Sequence, residues 1–484
     1  MHFGSVIKLL GKILLIEAIC LLFPLAISLY YGESIYFVYI ICILLCAFIG
    51  GLIYILPIRT RSIRIREALL SVSLGWIVMS LFGTLPFLLS KEIPSFVNAL
   101  FEIVSGFTTT GSTILTRPEL LSLSLSFWSS FASWIGGMGI LVFTLAIIPK
   151  MDTGSFQLMR SETPGPSHEK ITSRVKDAAL IIFIIYASLT ILETILLMIG
   201  GLSFTESISH AFSTMSSGGL SSRRNNIGDL NIYSQIIITA FMFFAGINFF
   251  AFFFLIKRDF KKVFKDEELR LYIKLILIFA FVITLDLILN DTSNLSILEN
   301  IKNSIFQVIS VLSTTGFTTV DYNVWPIASK VILLMLFFVG GCAGSTSGSI
   351  KISRILIVLK NIKSTFKKGI HPRAVSNIKI NGKSISPNVV QSTFSFIGVY
   401  LFLFLLGTVV IAFDPNCNDI LMASSSSASS LGNIGPLMSA IGPVQNYAIL
   451  TDFSKIFLSF LMLVGRLEIF TVLILFSPRL WKDQ

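Results

Sequence analysis

Charge is scarce in this chain. Lys, Arg, Asp and Glu make up 13% of its 484 residues, about half the share that soluble domains carry. With 54% hydrophobic residues and a mean hydropathy of +0.84, a soluble fold of this length is excluded. Cysteine is also sparse. The five (Cys20, Cys42, Cys46, Cys342 and Cys417) are odd in number. Four fall in apolar or Gly-rich segments, as small buried hydrophobes do, which argues against a disulfide or metal framework. Four scattered histidines leave no basis for a metal-centred active site. No compact apolar core with a small-residue cleavage site opens the chain, so the first apolar run reads as a span and not as a cleavable signal. No convergent nucleophile or acid/base pair is evident, so the chain does not read as an enzyme. No cofactor is expected in it.

What is present is a set of apolar runs long enough to cross a bilayer, which takes about 20 residues. Ten are counted, near 6–30, 36–56, 68–89, 127–148, 178–199, 232–256, 271–289, 331–359, 390–413 and 453–476. The lipid bilayer is therefore one partner. The net charge of +11 could suggest nucleic acid, but its distribution excludes that. With the N-terminus inside, the cytoplasmic segments hold 29 of the 37 Lys and Arg residues, and this bias fixes orientation.

Four polar stretches, each with a central glycine, interrupt the apolar pattern. They are Thr109-Thr110-Gly111-Ser112-Thr113, Ser217-Gly218-Gly219-Leu220-Ser221, Thr314-Thr315-Gly316-Phe317-Thr318 and Ser430-Leu431-Gly432-Asn433-Ile434. The anchors Gly111, Gly219, Gly316 and Gly432 lie 108, 97 and 116 residues apart. Near-even spacing suggests four copies of one unit around one axis. Backbone carbonyls in such a ring can replace the hydration shell of K⁺. Carbonyls aimed at one axis demand unusual backbone angles, which glycine adopts cheaply. Gly219 aligns with Gly316, because Gly-Leu-Ser-Ser then matches Gly-Phe-Thr-Thr; Gly218 is the alternative. The candidate filter is Thr110, Gly111, Ser217, Gly218, Gly219, Thr315, Gly316, Leu431, Gly432 and Asn433. The expected K⁺ ligands are the backbone carbonyls of Thr110, Gly111, Thr315, Gly316, Leu431 and Gly432.

The expected fold is an all-α polytopic membrane protein. Two extra N-terminal helices (1–66) precede four repeats of span, pore helix, filter loop and span around one pore. The repeats occupy 67–150, 151–257, 258–360 and 361–484, the second and fourth opening with a cytoplasmic connector. The segments before the loops are short and polar and fit re-entrant half-helices. Their expected starts are Ser95, Thr205 with Glu206, Ser296, and Asn418 with Asp419, residue types that satisfy free N–H groups. Each helix dipole would then aim its negative end at the pore axis.

Two further features stand out. Gly340-Gly341-Cys342-Ala343-Gly344-Ser345-Thr346-Ser347-Gly348-Ser349 lies within an apolar run. So many small residues break or loosen a helix. A loop there would sit below the filter and act as a gate; small-residue helix packing is the alternative. It is not a phosphate loop, since no Gly-Lys-Ser/Thr follows. Arg466, in the last span, is costly to bury and therefore a functional candidate. It would either face the pore and hold the gate loop or pair with Glu468. The other acids within membrane segments are Glu17, Glu102, Glu193 and Asp286. They form no obvious relay, though coupling of K⁺ to Na⁺ or H⁺ is the alternative to a channel-like pathway.

The chain resembles the TrkH subfamily of the Trk/Ktr/HKT superfamily of potassium transporters. The resemblance is carried by Gly106-Phe107-Thr108-Thr109-Thr110-Gly111-Ser112-Thr113, Trp134-Ile135-Gly136-Gly137-Met138-Gly139-Ile140, Glu162-Thr163-Pro164-Gly165-Pro166, Asp266-Glu267-Glu268-Leu269-Arg270, the 340–349 loop with Lys351 and Arg354, His371-Pro372-Arg373-Ala374-Val375 and Gly465-Arg466-Leu467-Glu468-Ile469-Phe470. It implies a homodimer with one pore per protomer in a bacterial inner membrane. It also implies a cytosolic regulatory partner of the TrkA type, on which alone a nucleotide is expected. The family's filter glycines would fall on Gly111, Gly219, Gly316 and Gly432, its gate on 340–349 and its pore arginine on Arg466. Members with Ser in the first filter tend to admit Na⁺, so Gly111 favours K⁺. Ser349 departs from the family, which often has glycine there.

Overall fold

The computed structural model describes residues 3–57, 65–139, 175–290, 296–371, 377–438, 446–476 and 478. The connector at 150–176, with Pro164, Gly165 and Pro166, lies almost wholly outside them. So do the end of the 127–148 run, Pro372 and the basic residues of 58–64.

Among the described residues, six helices are long and apolar enough to cross a membrane: Phe3–Tyr30, Tyr36–Ile55, Leu69–Leu89, Ala179–Ile199, Glu267–Asn290 and Pro387–Ala412. Their outer faces carry bare apolar side chains such as Phe48, Ile55, Leu289 and Phe402, which only lipid accommodates over so wide an area. Between the long helices lie the four half-helices Phe96–Phe107, Phe204–Met215, Ile297–Leu312 and Ile420–Gly432.

Each half-helix has a side-chain cap. Ser95 accepts from Asn98 N, and Ser296 forms a reciprocal capping box with Glu299, as their residue types predict. The second start differs from expectation, and the fourth is settled within its expected pair. Ser203, not Thr205, accepts from Glu206 N in the second, and Asp419, not Asn418, accepts from Met422 N in the fourth. In both cases the cap is the residue three before the free amide.

Of the ten apolar runs, only the one holding 340–349 was expected to break, and that expectation is corrected. The second helix of every repeat stops short of the end of its apolar run: Leu123–Met138, Ile232–Ala245, Ile327–Leu336 and Asp452–Arg466. Gly139 follows the first at φ 70°. The second resumes as Phe249–Ile256 after a bend of 97°, with Asn248 capping the restart. The third is followed by the Gly-rich loop and resumes as Ile352–Ile370; the fourth resumes briefly as Phe470–Leu473. Hydropathy counts apolar residues and is blind to such breaks. Non-helical backbone at this depth survives where protein buries it or water reaches it.

One apolar cluster joins the first and fourth repeats through Trp76, Phe101, Trp128, Tyr447 and Leu461. Another joins the second and third through Met242, Tyr272, Phe306 and Trp325. Phe131, Trp134 and Phe212, with ring centroids 5.2–5.9 Å apart, bridge the first repeat to the second.

Close helix approach sets small residues at the half-helix ends. A Cβ on Gly136 would lie 1.7 Å from Phe107 O, and one on Gly465 would lie 2.1 Å from Leu431 O. Gly136→Ala should destabilise the protein by at least the ~1–3 kcal/mol typical of overpacking. A thermal melt of the detergent-solubilised variant checks this; an unchanged melt would mean that the two backbones are not in contact.

Candidate functional site

The four half-helices end in the same way. In each, a residue at positive φ is followed two positions later by a glycine at positive φ: Thr109 and Gly111, Ser217 and Gly219, Thr314 and Gly316, Asn433 and Gly435. The amide of the first residue bonds to a carbonyl three back, as in Thr109 N to Gly106 O and Asn433 N to Ser430 O. The next amide bonds to one five back, as in Thr110 N to Ser105 O and Ile434 N to Ser429 O. Ser217 and Gly218, and Thr314 and Thr315, repeat both bonds.

This pattern moves the fourth loop by three residues. Its equivalent glycine is Gly435, and Gly432 is corrected to the last residue of the half-helix. The carbonyl of Leu431 faces Gly465, and that of Gly432 faces Gly348. Neither points where the other loops place theirs. Asn433 holds the position of Thr109, Ser217 and Thr314, since Asn tolerates the left-handed region. Gly219 stands in register with Gly111 and Gly316, while Gly218 occupies the place of Thr110 and Thr315.

The four loops form a closed ring. A Cβ on Gly111 would lie 2.1 Å from Gly218 O, one on Gly219 1.9 Å from Thr315 O, one on Gly316 1.8 Å from Ile434 O, and one on Gly435 2.6 Å from Thr110 O. Each glycine therefore abuts the carbonyl of the next loop, and the fourth returns to the first. All four glycines line one cavity, together with Glu102 and Arg223. Glu102 braces the first loop from behind, accepting from Thr113 Oγ1 at 2.9 Å and Ile114 N at 3.0 Å.

Residues 340–349 lie against the other ends of these loops. Thr346 Oγ1 donates to Met215 O (3.0 Å) and meets Ser217 Oγ (2.9 Å), and Gly348 N donates to Thr314 Oγ1 (2.7 Å). The segment is a loop and not a packed helix. Ser349 sits at φ 56°, a conformation glycine adopts more cheaply, and its Oγ donates to Phe337 O at 2.5 Å.

Arg466 clamps this loop. Its Nη1 donates to Thr346 O at 2.7 Å, and its Nη2 to Gly136 O at 2.6 Å and Gly137 O at 2.9 Å. Glu468 is not its partner. Glu468 takes both terminal nitrogens of Arg354, whose guanidinium stacks 3.7 Å from the Phe396 ring centroid. Lys351, almost fully buried, donates to Ser347 O. Of the other membrane acids, Asp286 accepts from Ser329 Oγ at 2.5 Å, and Glu17 and Glu193 are buried. A cavity of about 100 Å³ lies on this side of the ring, with Gly137, Thr346, Tyr400 and Arg466 in its wall.

Sequence reading missed Gly435, the bracing role of Glu102 and the role of Glu268, whose Oε1 accepts from Ala343 N of the 340–349 loop at 2.6 Å. Asn433-Ile434-Gly435 carried the signal for the first, as an Asn two residues before a glycine. Nothing in spacing alone marked the two acids.

Broken apolar helices, re-entrant half-helices and a four-loop backbone ring define a multi-pass membrane protein of the channel-like transporter class. The chain belongs to the TrkH family of cation transport proteins, whose family model matches residues 36–483. It is 33% identical over 489 residues to the Trk system potassium uptake protein TrkH of Halomonas elongata, and 34% over 494 residues to that of Vibrio parahaemolyticus. It is 32% identical over 490 residues to that of Escherichia coli, and all three pairs align over 100% of both chains. The crystal structure of the potassium transporter TrkH from Vibrio parahaemolyticus superposes with a TM-score of 0.88 at 32% identity, covering 100% of both chains.

The Arg354–Glu468 pair, with both side chains mostly buried, gives a direct check on the clamp region. Arg354→Ala and Glu468→Ala should each lower the melting temperature, and the double variant should fall short of their sum by about 1 kcal/mol. Additive shifts would show that the two residues do not stabilise each other.

Proposed function

We propose that this chain takes up K⁺ across a bacterial cell membrane through a selectivity filter built by the four loops. The intramembrane segment 340–349 acts as its gate. The observation that carries this reading is the closed ring, in which each loop glycine abuts the next loop's carbonyl. Carbonyls in such a ring exchange for the hydration shell of the ion. Those of Thr110, Gly218, Thr315 and Ile434 are the first ligands, with Gly111, Gly219, Gly316 and Gly435 shaping the ring. The curated relatives support K⁺ as substrate by their names, and Gly111 in the first loop agrees with it.

Arg466 holds the gate closed and sets a positive barrier beneath the filter. Its three carbonyl acceptors fit a five-donor guanidinium. The gate is controlled by a cytosolic nucleotide-binding partner of the TrkA type, and two chains assemble as a homodimer with one pore each. The basic connectors support partner docking, since this chain has no nucleotide motif of its own. Exposed charge attraction of this kind weakens with salt.

Radioactive Rb⁺ uptake into proteoliposomes, with K⁺ and Na⁺ as competitors, tests the reading. Gly435→Ala should reduce K⁺ over Na⁺ discrimination by roughly tenfold, about 1.4 kcal/mol. Gly432→Ala should leave it intact, because its Cβ would meet Ser349 Oγ and Phe337 O at 3.0–3.1 Å and no ring carbonyl. The reverse ranking would return the filter to Gly432.

Arg466→Ala should raise Rb⁺ uptake without changing ion preference. Near-wild-type uptake in Arg466→Lys would assign the effect to charge, and uptake like that of the alanine variant would assign it to the fork of donors. Loss of uptake in Arg466→Ala, with protein still in the membrane, would remove the barrier.

A further inference from the structure

The triplet Asp266-Glu267-Glu268 stands where Glu267–Asn290 begins. Its members face two different structures. Glu268 is buried, and its Oε1 accepts from Ala343 N at 2.6 Å and from Ser353 N at 2.9 Å. Ala343 lies in the intramembrane loop, and Ser353 lies in the first turn of Ile352–Ile370, just after it. One oxygen thus ties the loop's entry to its exit. A carboxylate accepting two backbone amides is a strong, geometrically fixed bond.

The other two members grip a hairpin outside the apolar layer. Its strands pair Lys379 with Ser384 and Ile380 with Lys383, and its turn residues Asn381 and Gly382 have φ 49° and 77°. Two positive φ values in a two-residue Asn-Gly turn give the tight hairpin type. Asn381 Oδ1 accepts from Glu267 N and Asn381 N donates to Glu267 Oε1, both at 2.9 Å. Asn381 Nδ2 donates to Asp266 Oδ2 at 3.2 Å. Lys360 pairs with Glu267 and donates to Lys379 O. Asp266 Oδ1 also caps the helix, accepting from Glu268 N at 2.8 Å and Leu269 N at 3.0 Å.

We propose that Glu268 is a positioning residue that latches the 340–349 loop shut, and that Asp266 and Glu267 tie this latch to the 379–384 hairpin. This rests on the reading of 340–349 as a gate and names what holds it from the hairpin side. Three consecutive residues at a helix start move as one body. A pull on the hairpin therefore shifts the Glu268 carboxylate relative to Ala343 and Ser353, and the loop loses the side-chain link between its ends, leaving the backbone bonds such as Gly340 N to Ile350 O.

The test uses full-length protein in proteoliposomes without a partner, with Rb⁺ uptake as readout, and hydrogen–deuterium exchange on the same samples. Glu268→Ala should raise uptake several-fold with ion preference unchanged, whereas a residue of merely structural role would lower uptake or protein yield. Glu268→Gln keeps an oxygen for both amides and should restore wild-type uptake. The surface variant Glu267→Ala with Asn381→Ala should speed exchange at Ala343 and Ser353 even if Glu268→Ala does not fold. Wild-type uptake in Glu268→Ala, beside raised uptake in a variant lacking 343–348, would overturn the latch and leave the gate standing. No Rb⁺ uptake in any protein, the deletion included, would overturn the gate reading itself. The exchange data then still decide the latch, which falls if Ala343 and Ser353 stay fully protected in the Glu267→Ala, Asn381→Ala variant.

Discussion

Four backbone loops can meet at one axis only if nothing projects from the residue that abuts the neighbouring carbonyl. The separations of 1.8–2.6 Å that a Cβ would have there are below any real contact. Each loop also opens on a non-glycine residue at positive φ, which costs of order 1 kcal/mol per residue. That strain is offset where the loop closes back on its half-helix through the two reverse bonds. The rest of the fold follows from this ring. The half-helices must be short, because they end at the axis. Their first amides lack intrahelical partners, and a side chain caps each of the four.

Much of this was legible in sequence. The polar, glycine-centred loops at regular spacing specified the repeat, and caps such as Ser95 and Ser296 specified where half-helices start. The loop at 340–349 was legible because ten small residues cannot sustain a helix. The register of the fourth loop was not, because glycine alone is a poor anchor. Gly432 is helical and Gly435 is the residue at positive φ, and both lie in the same polar stretch. What separates them is the preceding Asn433, whose tolerance of the left-handed region matches the Thr or Ser of the other loops only once the backbone is seen. The helix breaks after Met138, Ala245 and Arg466 were hidden for a different reason. Apolar residues surround each of them, and the local marks of a break, such as Gly139 at positive φ and the Asn248 cap, do not register in hydropathy.

Those breaks free backbone groups in a layer where water is scarce, and the buried charges answer them by sign. Gly136 and Gly137 lie in the last turn of Leu123–Met138, where carbonyls run out of intrahelical amides, and both receive the guanidinium of Arg466, Gly136 O alongside Gly139 N. Ser347 O receives Lys351. Ser353 lies in the first turn of a helix, where amides are unpaired, and it receives the carboxylate of Glu268. The guanidinium of Arg466 at a helix end and the carboxylate of Glu268 at a helix start are also what the helix dipole favours, whereas Lys351 serves a loop carbonyl. A single rule, that each freed backbone group takes the charge of opposite polarity, accounts for why Arg466, Lys351 and Glu268 tolerate burial among apolar helices.

The consequence is mechanical. The 340–349 segment is tied to its surroundings mainly by hydrogen bonds, from side chains and from backbone groups such as Cys342 N to Gly246 O, while the two apolar clusters that pair the repeats are built mostly from helices and take only Cys342 from the segment. Apolar packing resists displacement in proportion to the area uncovered, so a loop sealed by packing would move only with the helices around it. A loop held by directional bonds moves when those bonds exchange partners, and carbonyls released by Arg466 or amides released by Glu268 can turn to water in the cavity beside them. On the proposed reading, the gate is thereby separable from the filter. The ring keeps its geometry through glycine contacts above, while the charges below set whether the loop stays in the path.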